Sequence, residues 1–147
     1  MNTEDNSPAA GRPTREELEA FLHGAFTQRG KRASIMVEAI TDDSVRLRLG
    51  FSDELLRPGG TIAGPVLMSM ADTALYMLVL RNLGLGAAKA VTSNLNMSFL
   101  RRPPAADLLA HGRLLKLGRR LAVGEVSLVS EGQHGPVAHA VVTYALP

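Results

Sequence analysis

The stretch that decides the fold is GPVLMSMADTALYMLVL, residues 64–80. All but four of its positions from 65 to 80 are apolar, so a helix built from it would be apolar nearly all round and should be buried. Pro65 is tolerated at a first helical position, and Gly84 is suited to ending the segment. We therefore predict one long buried helix from about Pro65 to Leu83.

Four polar residues interrupt this helix at the spacing of a single face. They are Ser69, Asp72, Thr73 and Tyr76. A charge at the centre of an apolar helix is costly unless it has a partner or a function. The stripe can be a solvent face, or it can be an enclosed crevice in which Asp72 acts as a base or a nucleophile. Residue spacing alone leaves both interpretations open.

A glycine-rich loop, with Gly59, Gly60 and Gly64, precedes the helix. Helix N-termini carry unpaired N–H groups and partial positive charge, which can polarise a carbonyl oxygen. Asp72 lies roughly 12 Å of helix rise beyond Gly64. If both act on one small substrate, a partner subunit has to complete the site. A turn without any function is the alternative.

The rest of the chain predicts an α+β fold. Residues 1–13 resemble a flexible tail, and residues 14–147 form a single domain. A short amphipathic helix should run from Thr14 to about Gln28, with Gly30 ending it. Strand patterns follow, and they cover residues 34–40, 44–50, 91–99, 107–118, 120–130 and 136–146. Strict alternation in the third of these would place Val91, Leu95, Met97 and Phe99 on one face and Thr92, Asn94, Asn96 and Ser98 on the other.

Composition narrows the classes of function. The chain has 147 residues, no Cys, no Trp and a formal net charge of +2. Disulfides, thiolate metal sites and cysteine nucleophiles are excluded, and the charge is too small to indicate nucleic-acid binding. The four His residues lack metal-ligand spacing. The N-terminus does not resemble a signal peptide. We expect a cytoplasmic protein with no metal, no nucleic-acid partner and no membrane partner.

Three segments together resemble a known family. They are GGTIAGPVLMSMADTALYMLVL (59–80), VTSNLNMSFLRRP (91–103) and LGRRLAVGEVSLVS (117–130). They resemble hotdog-fold acyl-CoA thioesterases of the phenylacetic-acid-degradation type, over about residues 33–146. The resemblance implies an antiparallel sheet wrapped around one long central helix. It also implies homodimers that join sheet edge to sheet edge, often pair into homotetramers and build active sites between subunits.

The resemblance assigns roles to residues of this chain. Asp72 matches the catalytic carboxylate, the N–H of Gly64 would polarise the thioester carbonyl, and the Thr73 hydroxyl would help to position water. We expect Arg119, Arg120 and Arg101 to meet the phosphates of coenzyme A, although a solvated surface position is the alternative for Arg101. Substrate contacts are further expected from the stripe and from two flanking positions. These residues are Arg57, Ser69, Tyr76 and Asn94, although solvent exposure is the alternative for Asn94.

Two departures from the family are visible. Ala63, Gly64 and Pro65 stand where relatives usually carry His-Gly-Gly, and Arg57 stands where many carry Asn. Pro65 has no N–H, so one donor is lost. These departures bear on how the substrate is positioned.

We expect hydrolysis of an acyl-CoA thioester without a cofactor, since coenzyme A enters as part of the substrate. Two other functions stay open. One is acyl-CoA binding without catalysis. The other is hydration or dehydration of an acyl thioester, which usually needs a His beside the acid. The acyl group itself is not predictable from this sequence.

Overall fold

The computed structural model describes residues 11–25 and 35–147. Two α-helices and six β-strands follow one another along the chain. They are α1 (Arg15–Ala25), β1 (Ile35–Ile40), β2 (Ser44–Leu49), α2 (Gly64–Leu83), β3 (Val91–Phe99), β4 (Leu108–Leu117), β5 (Leu121–Ser130) and β6 (Ala138–Ala145).

The six strands form one antiparallel sheet in the order β1-β2-β4-β5-β6-β3. Helix α2 lies against one face of this sheet and contacts five of its strands. The core is formed by α2 together with the alternate strand residues that point toward it. This arrangement confirms the predicted α+β hotdog fold, with a short N-terminal helix beside the long central one.

The bounds of α2 agree closely with the prediction. The helix begins at Gly64, carries Pro65 in its first turn and ends at Gly84, whose φ of 85° is a conformation that glycine adopts at little cost. Among the described residues it is the one helix long and apolar enough to cross a membrane, but most of it is buried inside the sheet. Its apolar character is therefore explained by its place in the core.

Two glycines allow α2 to approach the centre of the sheet. A Cβ added at Gly124 would lie 2.6 Å from Cδ1 of Leu75 in α2, which is shorter than side-chain carbons tolerate. A Cβ added at Gly112 would lie 3.4 Å from Cβ of Ala74 in α2 and only 2.9 Å from Cγ1 of Val45 on β2. The small strand residues thus set how deeply the helix sits.

The two edges of the sheet differ. At the β1 edge, side chains of α1 bond to the strand backbone: the Val37 N–H donates to Glu19 at 2.7 Å, and Arg15 donates to the Val37 carbonyl at 2.6 Å. The ring of His23 lies 2.7 Å from the Ile35 carbonyl. No hydrogen bond from another described element reaches the free edge of β3. An uncovered edge strand is a template for pairing with another chain.

The faces of β3 differ from the predicted alternation. Thr92 pairs with Tyr144, but the next registered pair is Asn94 with Thr143, so one extra residue, Ser93, forms a β-bulge. A bulge reverses the side on which the flanking residues point. Thr92 consequently faces α2, and Val91 is turned outward with 60% of its surface exposed. The predicted placement of these two residues was wrong because a bulge leaves no mark in an alternating pattern.

The N-terminal boundary is partly described. Residues 1–10 lie outside the described residues, and so do the predicted helix end at Gln28 and the closing Gly30. Of the predicted tail, Pro13 is buried and Arg12 forms an ion pair of 2.5 Å with Asp42. Residues 12 and 13 therefore pack with the domain.

We predict that Gly124→Ala destabilises the protein by about 1–3 kcal/mol, since the added methyl group overpacks the contact with α2. Its Cβ would also lie 2.9 Å from the Arg113 carbonyl oxygen, which is backbone and cannot rotate away. Urea unfolding measures the change. Gly50→Ala is the matched control, because nothing lies within 4 Å of that position. Equal stability of the two variants would contradict the packing argument.

Candidate active site

Asp72 is anchored by two side chains from the sheet. Tyr144 of β6 donates its hydroxyl hydrogen to Oδ1 of Asp72 at 2.8 Å, and Thr92 of β3 donates to the same oxygen at 2.5 Å. Oδ2 accepts no hydrogen bond from any described residue. The carboxylate is half-buried in a cleft of about 300 Å³. Asp72 is therefore held in a crevice by partners, and the alternative of a simple solvent face does not describe it.

The tyrosine behind Asp72 is itself immobilised. Tyr144 is only 3% exposed and stacks on Tyr76 with ring centroids 5.7 Å apart and planes at 14°. Tyr76 donates its own hydroxyl to the Ala88 carbonyl at 2.8 Å. Burial raises the pKa of both phenols, and the charge of Asp72 raises the pKa of Tyr144 further. Tyr144 is consequently a protonated donor throughout the neutral range.

Thr73, whose hydroxyl was predicted to position water, lines the same cleft, but its hydroxyl hydrogen is already donated within α2. Thr73 is 2% exposed and donates to the Ser69 carbonyl one turn back in α2, at 2.8 Å. Its oxygen can still accept a hydrogen bond from water, but it cannot donate one without breaking this contact.

Ser69 faces a separate, smaller cleft of about 170 Å³ on the β1 and β2 side of α2. Its other lining residues are apolar: Ile35, Leu49, Leu55, Pro65, Val66 and Met70. The predicted stripe is thus divided between two clefts, with Asp72, Thr73 and Tyr76 in one and Ser69 in the other.

The N-terminus of α2 opens into a cleft of about 640 Å³. Gly64, Arg57 and Arg101 all line it, as does Arg102. Arg101 is held by donating to the His134 carbonyl at 2.6 Å. Among the described residues no carboxylate lines this cleft, and the charges that they contribute to it are positive. The Gly64 N–H, as the first of the helix, makes no hydrogen bond within the described part of the chain.

Arg119 and Arg120 are exposed in the turn between β4 and β5. The adjoining Leu121 pairs with Ala145, which in turn pairs with Val91. Both arginines therefore lie at the end of the sheet that holds Asp72, whereas Arg57 and Arg101 lie at the other end with Gly64.

The structure does not bring Asn94, a predicted substrate contact, together with Asp72. Asn94 pairs with Thr143 on the outer face of the sheet, and it is exposed there. Asp72 lies on the inner face, so the sheet separates the two. The bulge at Ser93 places Thr92, and not Asn94, beside the acid.

Thr92 and Tyr144 are the site residues that sequence reasoning missed. The signal available for Tyr144 was its rarity, since it is one of two Tyr residues in the chain. No comparable signal marked Thr92. In the described residues no group of three His, Asp or Glu side chains is arranged to hold a metal ion.

We predict that neither tyrosine ionises near pH 10 in the folded protein, because both phenols have raised pKa values. Stability should be unaffected by them below pH 10 and should fall as the pH rises above 10, because the unfolded chain then loses protons that the folded chain retains. Ultraviolet titration of tyrosinate is simple in a chain without Trp. Tyrosinate appearing near pH 10 while circular dichroism stays native would contradict this.

Comparison with known proteins identifies the family. The model of the thioesterase superfamily matches residues 59–137. A candidate esterase of Halobacterium salinarum is 32% identical over 100 residues, which cover 65% of this chain and 66% of that protein, slightly less than two thirds of its length.

Solved structures agree. A candidate thioesterase from Silicibacter sp. TM1040 is 39% identical, with a TM-score of 0.83 and coverage of 96% of this chain and 99% of that one. A candidate thioesterase from Ralstonia eutropha JMP134, described as related to phenylacetic acid degradation, is 30% identical over 83% of this chain and 89% of that one, with a TM-score of 0.70. These relatives support a hydrolase, and the chain belongs to the thioesterase superfamily of hotdog-fold proteins.

Proposed function

We propose that this protein hydrolyses a thioester of coenzyme A. The observation that carries the proposal is the Asp72 carboxylate, which is held in a cleft by Oδ1 with Oδ2 free of described partners. A positioned carboxylate with an open oxygen is what a general base or a nucleophile requires. The family supplies the reaction class, and coenzyme A as the thiol is our proposal.

In the base mechanism, Asp72 takes a proton from water while the water oxygen attacks the thioester carbon. The carbonyl oxygen becomes an oxyanion that the Gly64 N–H stabilises. The C–S bond then breaks, and the proton on Asp72 passes to the departing thiolate. In the nucleophilic alternative, Asp72 attacks the carbon, the C–S bond breaks, and the thiolate leaves behind a mixed anhydride. Water then hydrolyses the anhydride to the free acid and the Asp72 carboxylate, and the released proton passes to the thiolate. Isotope-labelled water under single-turnover conditions separates the two, because only the anhydride puts labelled oxygen into Asp72.

Within one chain, Gly64 and Asp72 open into different clefts. We propose that two chains pair through their free β3 edges, antiparallel and centred on Leu95. Thr92 of one chain would then lie opposite Ser98 of the other. Since Phe99 packs beside Gly64, this pairing would bring the acid of one chain toward the helix N-terminus of its partner.

The same pairing would bring arginines of the two chains close to one another. The turn with Arg119 and Arg120 lies near the start of β3, and Arg101 follows its end, so antiparallel strands would bring them together from two chains. Arg57 would add a fourth positive charge. Guanidinium groups bind phosphates through paired donors, which suits the phosphates of coenzyme A. A dimer of such dimers is our proposal for the full assembly.

Acyl-CoA binding without hydrolysis is the second candidate, and Ala63 and Pro65 favour it, since they supply neither a His nor an N–H at the helix start. No His lines the Asp72 cleft among the described residues, which gives hydration or dehydration no support.

We predict that Asp72→Asn lowers kcat by about 10²–10⁴-fold, the usual contribution of a general base, while the oligomer persists. A panel of aliphatic and aromatic acyl-CoA thioesters, assayed on the wild type and the variant, measures the loss and identifies the acyl group. Unchanged hydrolysis in the variant would exclude Asp72 from the chemistry. Coenzyme A binding by calorimetry, without turnover of any thioester by the wild type, would instead establish the second candidate.

We predict that lysines at the centre of β3 disrupt the dimer. If Leu95 lies on the twofold axis, Asn94 of one chain faces Asn96 of the other. Asn94→Lys with Asn96→Lys would place like charges opposite each other, whereas Asn94→Glu with Asn96→Lys would place opposite charges there. Sedimentation velocity should show monomers for the first variant and dimers for the second. Dimers in both would contradict this pairing.

A further inference from the structure

We propose that Tyr144 and Thr92 are positioning residues that hold Asp72 by Oδ1 and thereby make Oδ2 the reacting oxygen. This inference rests on the proposed function, which names Asp72 as the acting acid but does not say which of its oxygens acts or what orients it.

The geometry separates the two oxygens of one carboxylate. The two sheet hydroxyls converge on Oδ1, and Tyr144 lies in addition 3.3 Å from the Asp72 backbone carbonyl. A carboxylate on a helix can rotate about χ2, because that torsion is broad. Two donors from two different strands remove this freedom. Oδ2 is then the oxygen left with its lone pairs open to the cleft.

The holding group is itself fixed from behind. The ring of Tyr144 stacks on Tyr76, and the hydroxyl of Tyr76 is bonded to Ala88 in the segment between α2 and β3. Thr92 is turned toward Asp72 only because of the bulge at Ser93. The stacked ring pair and the bulge therefore fix in place the two hydroxyls that hold the carboxylate.

Holding the acid in this way has a chemical consequence. A lone pair of Oδ1 that already accepts a hydrogen bond is less available to take a proton. The two donors on Oδ1 therefore leave the reaction to Oδ2, which faces the cleft. Loss of either donor should lower the rate of the chemical step and leave substrate binding largely unchanged.

The test uses Tyr144→Phe and Thr92→Val, which remove one hydroxyl each and keep the side-chain shape. We expect kcat to fall about 10- to 100-fold in each, from the loss of a hydrogen bond to a charged group, with little change in KM. Thr92→Ser keeps the hydroxyl and should retain most of the wild-type kcat. Thr143→Val is the matched control. It removes a hydroxyl from the residue beside Tyr144 that faces away from Asp72, and it should keep the wild-type kcat and KM.

Wild-type kcat in Tyr144→Phe would overturn the inference and leave the proposed function standing. Equal losses of kcat in Tyr144→Phe and in the control Thr143→Val would show a general structural effect in place of positioning, and would overturn it as well. A wild type that hydrolyses no thioester would remove the proposed function and the reacting role of Oδ2 with it.

Discussion

The close packing of α2 into the sheet is the contact on which the rest of this structure depends. Gly112 and Gly124 leave room for it, and the apolar side chains of the helix fill the space. Because the helix sits this deep, Asp72 at its middle comes within hydrogen-bond reach of hydroxyls on two strands. A helix held farther out would leave the carboxylate in water, where a charge has no need of partners. The depth at which α2 packs into the sheet therefore also determines which groups surround the Asp72 carboxylate.

The two edges of the sheet differ in whether another strand can pair with them. Side chains of α1 satisfy backbone groups of β1, so that edge is closed to other strands. The β3 edge is open along its whole length within the described residues, and it carries no charged residue. The open edge is also the one beside Asp72. The chain thus protects one sheet edge and leaves the other free beside Asp72. The group proposed to stabilise the oxyanion, the Gly64 N–H, opens into a different cleft. These are the features expected of a chain that forms its active site together with a second copy.

The charged groups are likewise divided between the two ends of β3. The acid lies at one end of β3 with Arg119 and Arg120 beyond it, while Gly64, Arg57 and Arg101 share the cleft at the other end. Within one chain these groups line different clefts. The antiparallel pairing proposed above would exchange the ends of two β3 strands and bring the two groups together.

The sequence alone determined the long buried helix, the six strands, the fold class and Asp72 as its central acid, because these follow from local periodicity and from the cost of burying a charge. It did not predict that Gly64, Arg57 and Arg101 share one cleft, because their meeting depends on the fold of the loops around the N-terminus of α2. It could not reveal Thr92, since one bulged residue reverses a strand face without changing composition. Only the tertiary structure decided that Tyr144 and Thr92 both donate hydrogen bonds to one oxygen of Asp72. Thr92 is 20 positions from Asp72 and Tyr144 is 72 positions from it, so these contacts depend on strand register and on the depth of the helix.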